Sequence, residues 1–208
     1  MRILVADDHS VVRRGLQQII AMRAGWSVAA EASSGEEVLP LLRIHRFDVV
    51  ILDVALRDCS GIQVLANIRA EFPSLPVLML SMHAEEQYAI RCLRAGASGY
   101  IQKDSSPEEL LEAIRRVASG RRYVSENVAD QLATQVVRGT DALPHELLSD
   151  REFEIFRLIA TGRSATEMAD ALHLSVKTVS TYRTRILQKT GFHTNADIIA
   201  YAIRVGLI

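Results

Sequence analysis

Three carboxylates in this sequence directly follow runs of mostly apolar residues. Residues 3–6 lead into Asp7 and Asp8, and residues 47–52 lead into Asp53. Runs of this kind are typical of strands buried on both faces of a parallel sheet, which present reactive groups at their carboxyl ends. A single aspartate there fits an ordinary turn residue as well as a reactive acid. The choice depends on whether other strands end on groups that match it.

The three carboxylates would lie close together if their two strands were neighbours in the sheet. Two carboxylates about 4 Å apart repel each other by roughly 4 kcal/mol at an effective dielectric constant near 20. Such a cluster requires protonation or a bound cation, and Mg²⁺, which prefers oxygen ligands, fits it best. Asp7, Asp8 and Asp53 are therefore the candidate metal ligands.

A hydroxyl and an ammonium follow two further apolar runs. Residues 76–80 end at Ser81, and residues 98–102 end at Lys103. Each alone fits an ordinary turn serine or surface lysine. At the same edge as Asp53, however, they could bind the oxygens of a phosphoryl group attached to that carboxylate. The convergence of all five residues favours phosphoryl chemistry.

The elements that must position these residues alternate over the first 120 positions. The predicted strands are residues 3–6, 26–30, 47–52, 76–80 and 98–102. Helical periodicity separates them. Strands alternating with helices predict an α/β fold with a flavodoxin-like, doubly wound, five-stranded parallel sheet in the order 2-1-3-4-5. In that order the first and third strands are neighbours.

Residues 1–120 resemble the receiver domain of bacterial two-component response regulators in the five residues already named. The resemblance implies that a sensor histidine kinase transfers a phosphoryl group to Asp53. Asp8 and Asp53 would bind Mg²⁺ directly and Asp7 through water, and the carbonyl of Ala55 would complete the protein ligands. Catalysis would be by positioning and charge neutralisation.

The same resemblance assigns roles to three residues at the far strands. Ser81 and Lys103 would hold the phosphoryl oxygens, and Tyr100 would turn inward when Ser81 moves onto the phosphate. One stretch departs from the family: Leu56-Arg57 stands where Met-Pro is usual. Loss of the proline loosens a loop that must hold a metal ligand, so we expect an altered lifetime of the phosphoryl group.

Helices alone are predicted after residue 120. Residues 121–145 have a helical pattern (Val128, Leu132, Val136) and then a joint at residues 139–144, typical of a linker. Residues 146–208 form a predicted all-α domain of four helices. Capping boxes are predicted at Ser34 with Glu37, Ser106 with Glu109 and Ser149 with Glu152, and single caps at Ser175 and Thr194.

The third of these four helices, residues 176–189, is polar and cationic. No acidic residue lies between Asp170 and Asp197. Small hydroxyl residues and a lysine share one stripe at helical spacing: Lys177, Ser180, Thr181 and Thr184. Apolar residues expected to pack inward are Val176, Val179, Ile186 and Leu187. The pattern suits the major groove of DNA, although an amphipathic surface helix would also produce it.

Residues 148–152, 167–169 and 174–179 resemble the LuxR-type helix-turn-helix of the NarL/FixJ response regulators. The resemblance implies that Ser180, Thr181 and Thr184 face bases. Residues expected mostly at phosphates are Thr166, Lys177, Thr178, Tyr182, Arg185 and Lys189. Serine and threonine pair with either base type, so direct readout should discriminate only modestly.

The two resemblances together predict a phosphorylation-activated transcription regulator that binds double-stranded promoter DNA. It would not be an enzyme beyond Mg²⁺-dependent self-phosphorylation and autodephosphorylation. Phosphorylation would promote a homodimer, and Ala196, Ile199 and Ile203 of the last helix fit either a dimer contact or core packing. With two cysteines, no apolar run near 20 residues and no signal peptide, we expect a soluble, cytoplasmic protein without a membrane partner.

Two other functions remain open. A constitutive DNA-binding protein could use the receiver only as an interaction module, although the intact five-residue site disfavours this. A haloacid-dehalogenase-like phosphotransferase also forms an aspartyl phosphate beside Mg²⁺. That class places its acid two residues after the nucleophile, where this sequence has Ala55.

Overall fold

The computed structural model describes residues 1–82, 85–125, 128–130, 143–172 and 174–208. The chain divides into two compact units, Met1–Val137 and Arg138–Ile208. The first unit is α/β and the second is helical. Over the described residues, no helix combines the length and the apolarity that a bilayer crossing requires.

Five parallel strands form the sheet of the first unit. They are β1 (Arg2–Ala6), β2 (Ser27–Ala32), β3 (Val49–Asp53), β4 (Val77–Ser81) and β5 (Gly99–Gln102). Their order, β2-β1-β3-β4-β5, confirms the predicted topology. Ala6 pairs with Leu52, Asp53 with Leu80 and Ser81 with Gln102, so the carboxyl ends of β1, β3, β4 and β5 meet along one edge.

Five helices cover the two faces of this sheet. They are α1 (Ser10–Ala21), α2 (Gly35–Ile44), α3 (Gly61–Glu71), α4 (Glu85–Arg94) and α5 (Pro107–Ala118). On one face, Ile20 of α1 and Ile114 of α5 join Ile3, Val5 and Ile51 in a buried cluster. Each such side chain contributes about 1.5–3 kcal/mol on burial. This packing fixes the strand ends that present the site.

The two predicted capping boxes of this unit have different outcomes. Ser106 and Glu109 form theirs at the start of α5. Ser34 is the N-cap residue of α2, but its side chain makes no capping hydrogen bond, and Glu37 accepts from the N–H of Ser33 instead. The expectation for Ser34 was wrong because the carboxylate of Asp58 accepts from the first two N–H groups of α2.

An extended segment follows α5 and adds to the edge of β5. Tyr123 pairs with Gly99 in a parallel bridge, and the N–H of Tyr100 donates to the Tyr123 carbonyl at 3.0 Å. A Cβ atom at Gly99 would lie 2.8 Å from that carbonyl oxygen, so only glycine allows the approach. Of the predicted linker helix, Val128 is helical and buried, while Leu132 and Val136 lie outside the described residues.

The second unit contains the four predicted helices. A short 3-10 helix, Pro144–Leu147, precedes α6 (Asp150–Ala160), α7 (Ala165–Ala171), α8 (Val176–Thr190) and α9 (Asn195–Arg204). Phe153, Phe156 and Tyr201 form its buried aromatic centre. Ser175 and Thr194 cap α8 and α9 as predicted. The turn residue His173 lies outside the described residues.

Candidate functional site

The carboxyl edge of the sheet brings the three predicted aspartates together. Oxygens of Asp7, Asp8 and Asp53 and a ring nitrogen of His9 all lie within 4.8 Å of one another. Asp7 and Asp53 are 0% and 2% exposed. A carboxylate in this position is costly unless a positive charge compensates it. The cluster therefore depends on cations.

Lys103 supplies one of these cations. Its ammonium lies 2.6 Å from Oδ2 of Asp53 and 2.7 Å from Oδ2 of Asp7, and its side chain is 5% exposed. The backbone holds it there, because the N–H of Lys103 donates to the carbonyl of Ser81 at 2.8 Å. Burial opposes the ammonium charge, but the two carboxylates outweigh burial and raise the pKa of Lys103.

The negative charge of Asp53 is only partly compensated by Lys103. Burial raises the pKa of Asp53 to about 6, and although Lys103 opposes the change, the neighbouring charge of Asp7 adds to it. The N–H of Ala55 also donates to Oδ1 of Asp53, at 3.2 Å. The carboxylate is therefore held in one orientation at the end of β3.

The donor set fits a hard divalent cation. Buried Oδ2 of Asp7 and Oδ1 of Asp8 accept no hydrogen bond of good geometry, although each lies 2.7 Å from a nitrogen, Lys103 Nζ and His9 Nδ1 respectively. Among the described residues, the Lys103 ammonium contacts Asp7 and Asp53, while Asp8 lies beside His9 and 3.9 Å from Arg57. Mg²⁺ takes such oxygens readily, so the residues fit the ion that the sequence predicts.

Ser81 and Tyr100 lie on neighbouring strands at different levels, because Ser81 pairs with Gln102 and Tyr100 pairs with Met79. Ser81 ends β4, beside Asp53 at the end of β3, and is 1% exposed. Tyr100 lies on β5 and is also 1% exposed, so its ring occupies the interior. Because the N–H of Tyr100 donates to Tyr123, this position is joined directly to the segment that follows α5.

The loop after Asp53 is tied down more firmly than the missing proline suggests. Asp58 caps α2, and Ser60 accepts from the N–H of Ile62 to cap α3. Arg57 is exposed, with its Nε 3.9 Å from Oδ2 of Asp8. The arginine thus adds positive charge at the rim, while the loop ends are anchored.

Two residues of this region were missed at the sequence level. His9 lies beside Asp8, and only its adjacency to the Asp pair could have drawn notice. Asp58 is 23 residues from the Gly35 N–H that it caps, and no local pattern predicts a contact at that separation.

Helix α8 presents all four residues of the predicted polar stripe to solvent, Lys177 included. Ser180, Thr181 and Thr184 are exposed. The hydroxyl of Thr181 donates to the carbonyl of Lys177, and that of Thr184 to the carbonyl of Ser180. These hydroxyls can still accept hydrogen bonds. Val176 is 45% exposed, so its expected inward packing was wrong: as the first residue of α8, it precedes the buried Val179 and Ile186.

The residues predicted to contact phosphates differ in their exposure and in their present side-chain partners. Thr166, Lys177 and Arg185 are exposed, and the Arg185 guanidinium lies 5.8 Å from the ring centre of Tyr182. The hydroxyl of Thr178 contacts that of Ser175. Lys189 donates to the buried carboxylate of Glu152 at 2.7 Å while its side chain stays 44% exposed.

Two family models match this chain, one on each unit. The model described as response regulator receiver domain matches residues 3–115. The model described as bacterial regulatory proteins, luxR family, matches residues 146–202. This chain is a response regulator of the NarL/FixJ family.

Relatives of this response regulator align over its whole length. Response regulator UvrY of Escherichia coli K12 is 34% identical over 208 residues, covering all of this chain and 95% of UvrY. Oxygen regulatory protein NreC of Staphylococcus epidermidis is 36% identical, covering all of this chain and 99% of NreC. The structure of RcsB from Salmonella enterica serovar Typhimurium, bound to promoter rprA in the presence of phosphomimetic BeF3-, has 25% identity, a TM-score of 0.64 and 97% coverage of each chain.

The pair formed by Glu152 and Lys189 stabilises the luxR-family domain of this response regulator. Glu152 is 3% exposed and also accepts from the N–H and the hydroxyl of Ser149, both at 2.8 Å. Burial raises the pKa of Glu152, but Lys189 and Ser149 outweigh burial and lower it. The pair ties the start of α6 to the end of α8.

We expect Glu152→Gln to lower the free energy of unfolding of this unit by about 1–3 kcal/mol at pH 7, because a charged hydrogen-bond acceptor is lost. A lowered pKa means that the contribution is present above the usual carboxyl pKa and is lost as pH falls through the lower folded value. Thermal melts by circular dichroism at pH 7 and pH 3 measure both effects. Glu167→Gln removes an exposed capping carboxylate of α7 and should cost less. Equal losses in the two variants would contradict this role.

Proposed function

We propose that this response regulator is a DNA-binding transcription regulator that phosphorylation of Asp53 activates. One observation carries the proposal: Asp53 lies among Asp7, Asp8 and Lys103 at one sheet edge of a chain that also has a luxR-family DNA-binding domain. The phosphoryl donor is a histidine of a sensor kinase. Double-stranded promoter DNA is the second partner, which makes the cytoplasm the place of action.

In the proposed transfer, an Oδ atom of Asp53 attacks the phosphorus of the phosphohistidine. The new P–O bond forms as the P–N bond breaks, and the imidazole leaves. The Lys103 ammonium, already 2.6 Å from Asp53, binds a phosphoryl oxygen, and the Ser81 hydroxyl at the end of β4 binds another. Asp8, Asp53 and the carbonyl of Ala55 would hold Mg²⁺ directly and Asp7 through water, and the ion would supply charge neutralisation for the transferring group.

The phosphoryl group requires a route to the DNA-binding domain. We infer that Ser81 moves onto the phosphate and that Tyr100, whose ring already lies in the interior here, repacks when Ser81 moves. The position of Tyr100 supports this, because its N–H donates to Tyr123 in the segment that leaves the receiver domain. Residues 121–145 are proposed as the linker between a receiver at 1–120 and a DNA-binding domain at 146–208. Tyr123 packs against the receiver core, which makes the linker part of the switch.

Activation is proposed to produce a homodimer on two half-sites. Ile203 is 62% exposed and Ala196 is exposed, whereas Ile199 is half-buried. The exposed side of α9 is thus available for a second copy of the domain. A dimer would raise the affinity for DNA, because two copies of α8 would then bind the two half-sites together.

The test combines three readouts on one sample. The full chain is incubated with acetyl phosphate and MgCl₂, and its intact mass, oligomeric state and affinity for promoter DNA are measured together. We expect one phosphoryl group, a shift toward dimers and tighter DNA binding. No gain in mass would contradict the switch. A gain in mass with unchanged DNA affinity would favour constitutive DNA binding, with the receiver as an interaction module.

Helix α8 is proposed to lie in the major groove. Ser180, Thr181 and Thr184 would contact bases. Contacts mostly to phosphates would come from Thr166, Lys177, Thr178, Tyr182, Arg185 and Lys189. Exposure of Lys177 and Arg185 supports this, because a surface cation that forms no ion pair with any described residue can contact a phosphate and release its counterion.

We expect Lys177→Ala to weaken binding about equally on all DNA sequences and to reduce the log–log salt slope by about 1. Thr184→Ala should instead leave the salt slope unchanged and alter sequence preference less than about tenfold, because a threonine hydroxyl pairs with either base type. Fluorescence anisotropy at several salt concentrations, on a set of single-base variants of one site, separates the two effects. A sharp single-sequence preference that Thr184→Ala abolishes would overturn the assignment of weak direct readout.

A further inference from the structure

A cavity of about 300 Å³ opens at the amino ends of β4 and β5, on the sheet edge opposite Asp53. Its walls come from the end of α3, the turns before β4 and β5, the end of α5 and the segment after α5. The lining includes Ser74, Ser98, Arg69, Arg121 and Arg122. No acidic side chain lines it, so three positive charges surround one small space.

The arginines of this cavity are held by neutral groups. Arg69 donates from Nε to the carbonyl of Gly96 at 2.7 Å and from Nη1 to that of Leu75 at 2.6 Å. Arg122 donates from Nη1 to the carbonyl of Ala97 at 3.1 Å. Two guanidiniums are therefore anchored on consecutive carbonyls, those of Gly96 and Ala97.

The positive charge of the cavity has no counterpart within the described part of the chain. There, none of Arg69, Arg121 and Arg122 forms an ion pair, whereas Arg115 and Arg116 of the neighbouring helix both pair with Glu112. Burial lowers the pKa of Arg69, and the charge of Arg122 lowers it further. An anion would relieve this repulsion and accept the remaining N–H groups.

We propose that this cavity binds a small anionic ligand that carries a phosphoryl or polyphosphate group. Arg69, Arg121 and Arg122 bind the phosphoryl oxygens. The volume lies at the lower end of small-molecule sites, and the cationic lining selects a charged ligand over an apolar one. A purely structural role would explain Arg69, which ties α3 to the turn before β4, and the bond of Arg122 to Ala97, but not the exposed Arg121.

The cavity lies next to the start of the linker, so a bound ligand would affect how the linker docks on the receiver. Arg121 and Arg122 directly precede Tyr123, which pairs with β5 beside Tyr100. A ligand that joins these two arginines to Arg69 therefore holds the start of the linker against the receiver. Binding stabilises the docked segment by the difference between the ligand's affinities for the docked and undocked forms, since the undocked form keeps only Arg69 at the site.

Pyrophosphate is the probe, and amide NMR shifts of the full chain report where it binds. EDTA removes the divalent ions that the Asp53 edge requires, and NaCl matches the ionic strength. We expect saturable shifts at Gly96, Ala97 and Ser98. Arg122→Gln and Arg121→Gln should each weaken binding at least tenfold. Arg14→Gln, which removes an exposed arginine of α1 away from the cavity, should leave it unchanged.

Two results would overturn the proposal. Shifts confined to α8 would assign pyrophosphate binding to the DNA surface. Equal affinity in the wild type and in both cavity variants would remove the arginines from the site. A fold change in Arg121→Gln or Arg122→Gln is informative only with native spectra, and both side chains are exposed, so we expect the variants to fold.

Discussion

Asp53→Asn should abolish phosphoryl uptake from acetyl phosphate. The carboxamide has no anionic oxygen to attack phosphorus, and it also removes one of the three carboxylates that fit Mg²⁺. Loss of a nucleophile costs roughly a thousandfold or more in rate. Intact-mass spectra over time measure the rate, and the stimulation of DNA binding by acetyl phosphate should disappear with it.

Asp104→Asn is the matched control for this variant. Asp104 follows Lys103 at the same rim, but it is exposed and its side chain forms no hydrogen bond or ion pair among the described residues. It should take up one phosphoryl group at the wild-type rate. If Asp53→Asn still gained a phosphoryl group, another residue would be the acceptor. The nearby carboxylates of Asp7 and Asp8 would then be the first to examine.

The sequence allowed the residues of the site to be predicted, because each of them lies at the carboxyl end of a strand. Buried parallel strands leave an unmistakable apolar pattern, and topology then forces their carboxyl ends to one edge. The meeting of Asp7, Asp53 and Lys103 needed only the order of the strands. Which atoms pair within the cluster did not follow, because that depends on distances of a few tenths of an ångström.

Contacts between distant segments were beyond sequence reasoning. Ser34 and Glu37 have the spacing of a capping box, yet Asp58 takes that position from another loop. The pairing of Tyr123 with β5 likewise depends on tertiary structure, because β5 is the edge strand of the sheet and the segment after α5 returns to it. Gly99 gave the one usable signal, since a glycine within a strand often marks close approach of another backbone.

Periodicity also misplaced the first residue of the DNA-binding helix. Val176 fits the apolar face of α8 by spacing, but it is 45% exposed. Side chains in the first turn of a helix have no preceding turn to cover them. An apolar residue is thereby exposed next to Lys177 and four residues before Ser180, on the face proposed to meet DNA.

Lys103→Met should have the second large effect, on stability rather than on chemistry alone. Its side chain is 5% exposed, and its ammonium lies within 2.7 Å of two carboxylates. Removing one partner of a buried pair leaves uncompensated charge and costs about 3 kcal/mol in the free energy of unfolding. The measurement is thermal or urea unfolding of the full chain in EDTA.

The response of stability to Mg²⁺ distinguishes uncompensated charge from a simple loss of packing in Lys103→Met. In the wild type, Lys103 already neutralises part of the cluster, so saturating MgCl₂ should stabilise the protein less than it stabilises Lys103→Met. Lys177→Met removes an exposed lysine of α8 and should change stability by less than about 0.5 kcal/mol, with the wild-type response to Mg²⁺. An equal gain from Mg²⁺ in the wild type and in Lys103→Met would mean that ammonium and metal do not compensate the same carboxylates. In that case the assignment of Asp7 and Asp53 to the metal site would be wrong.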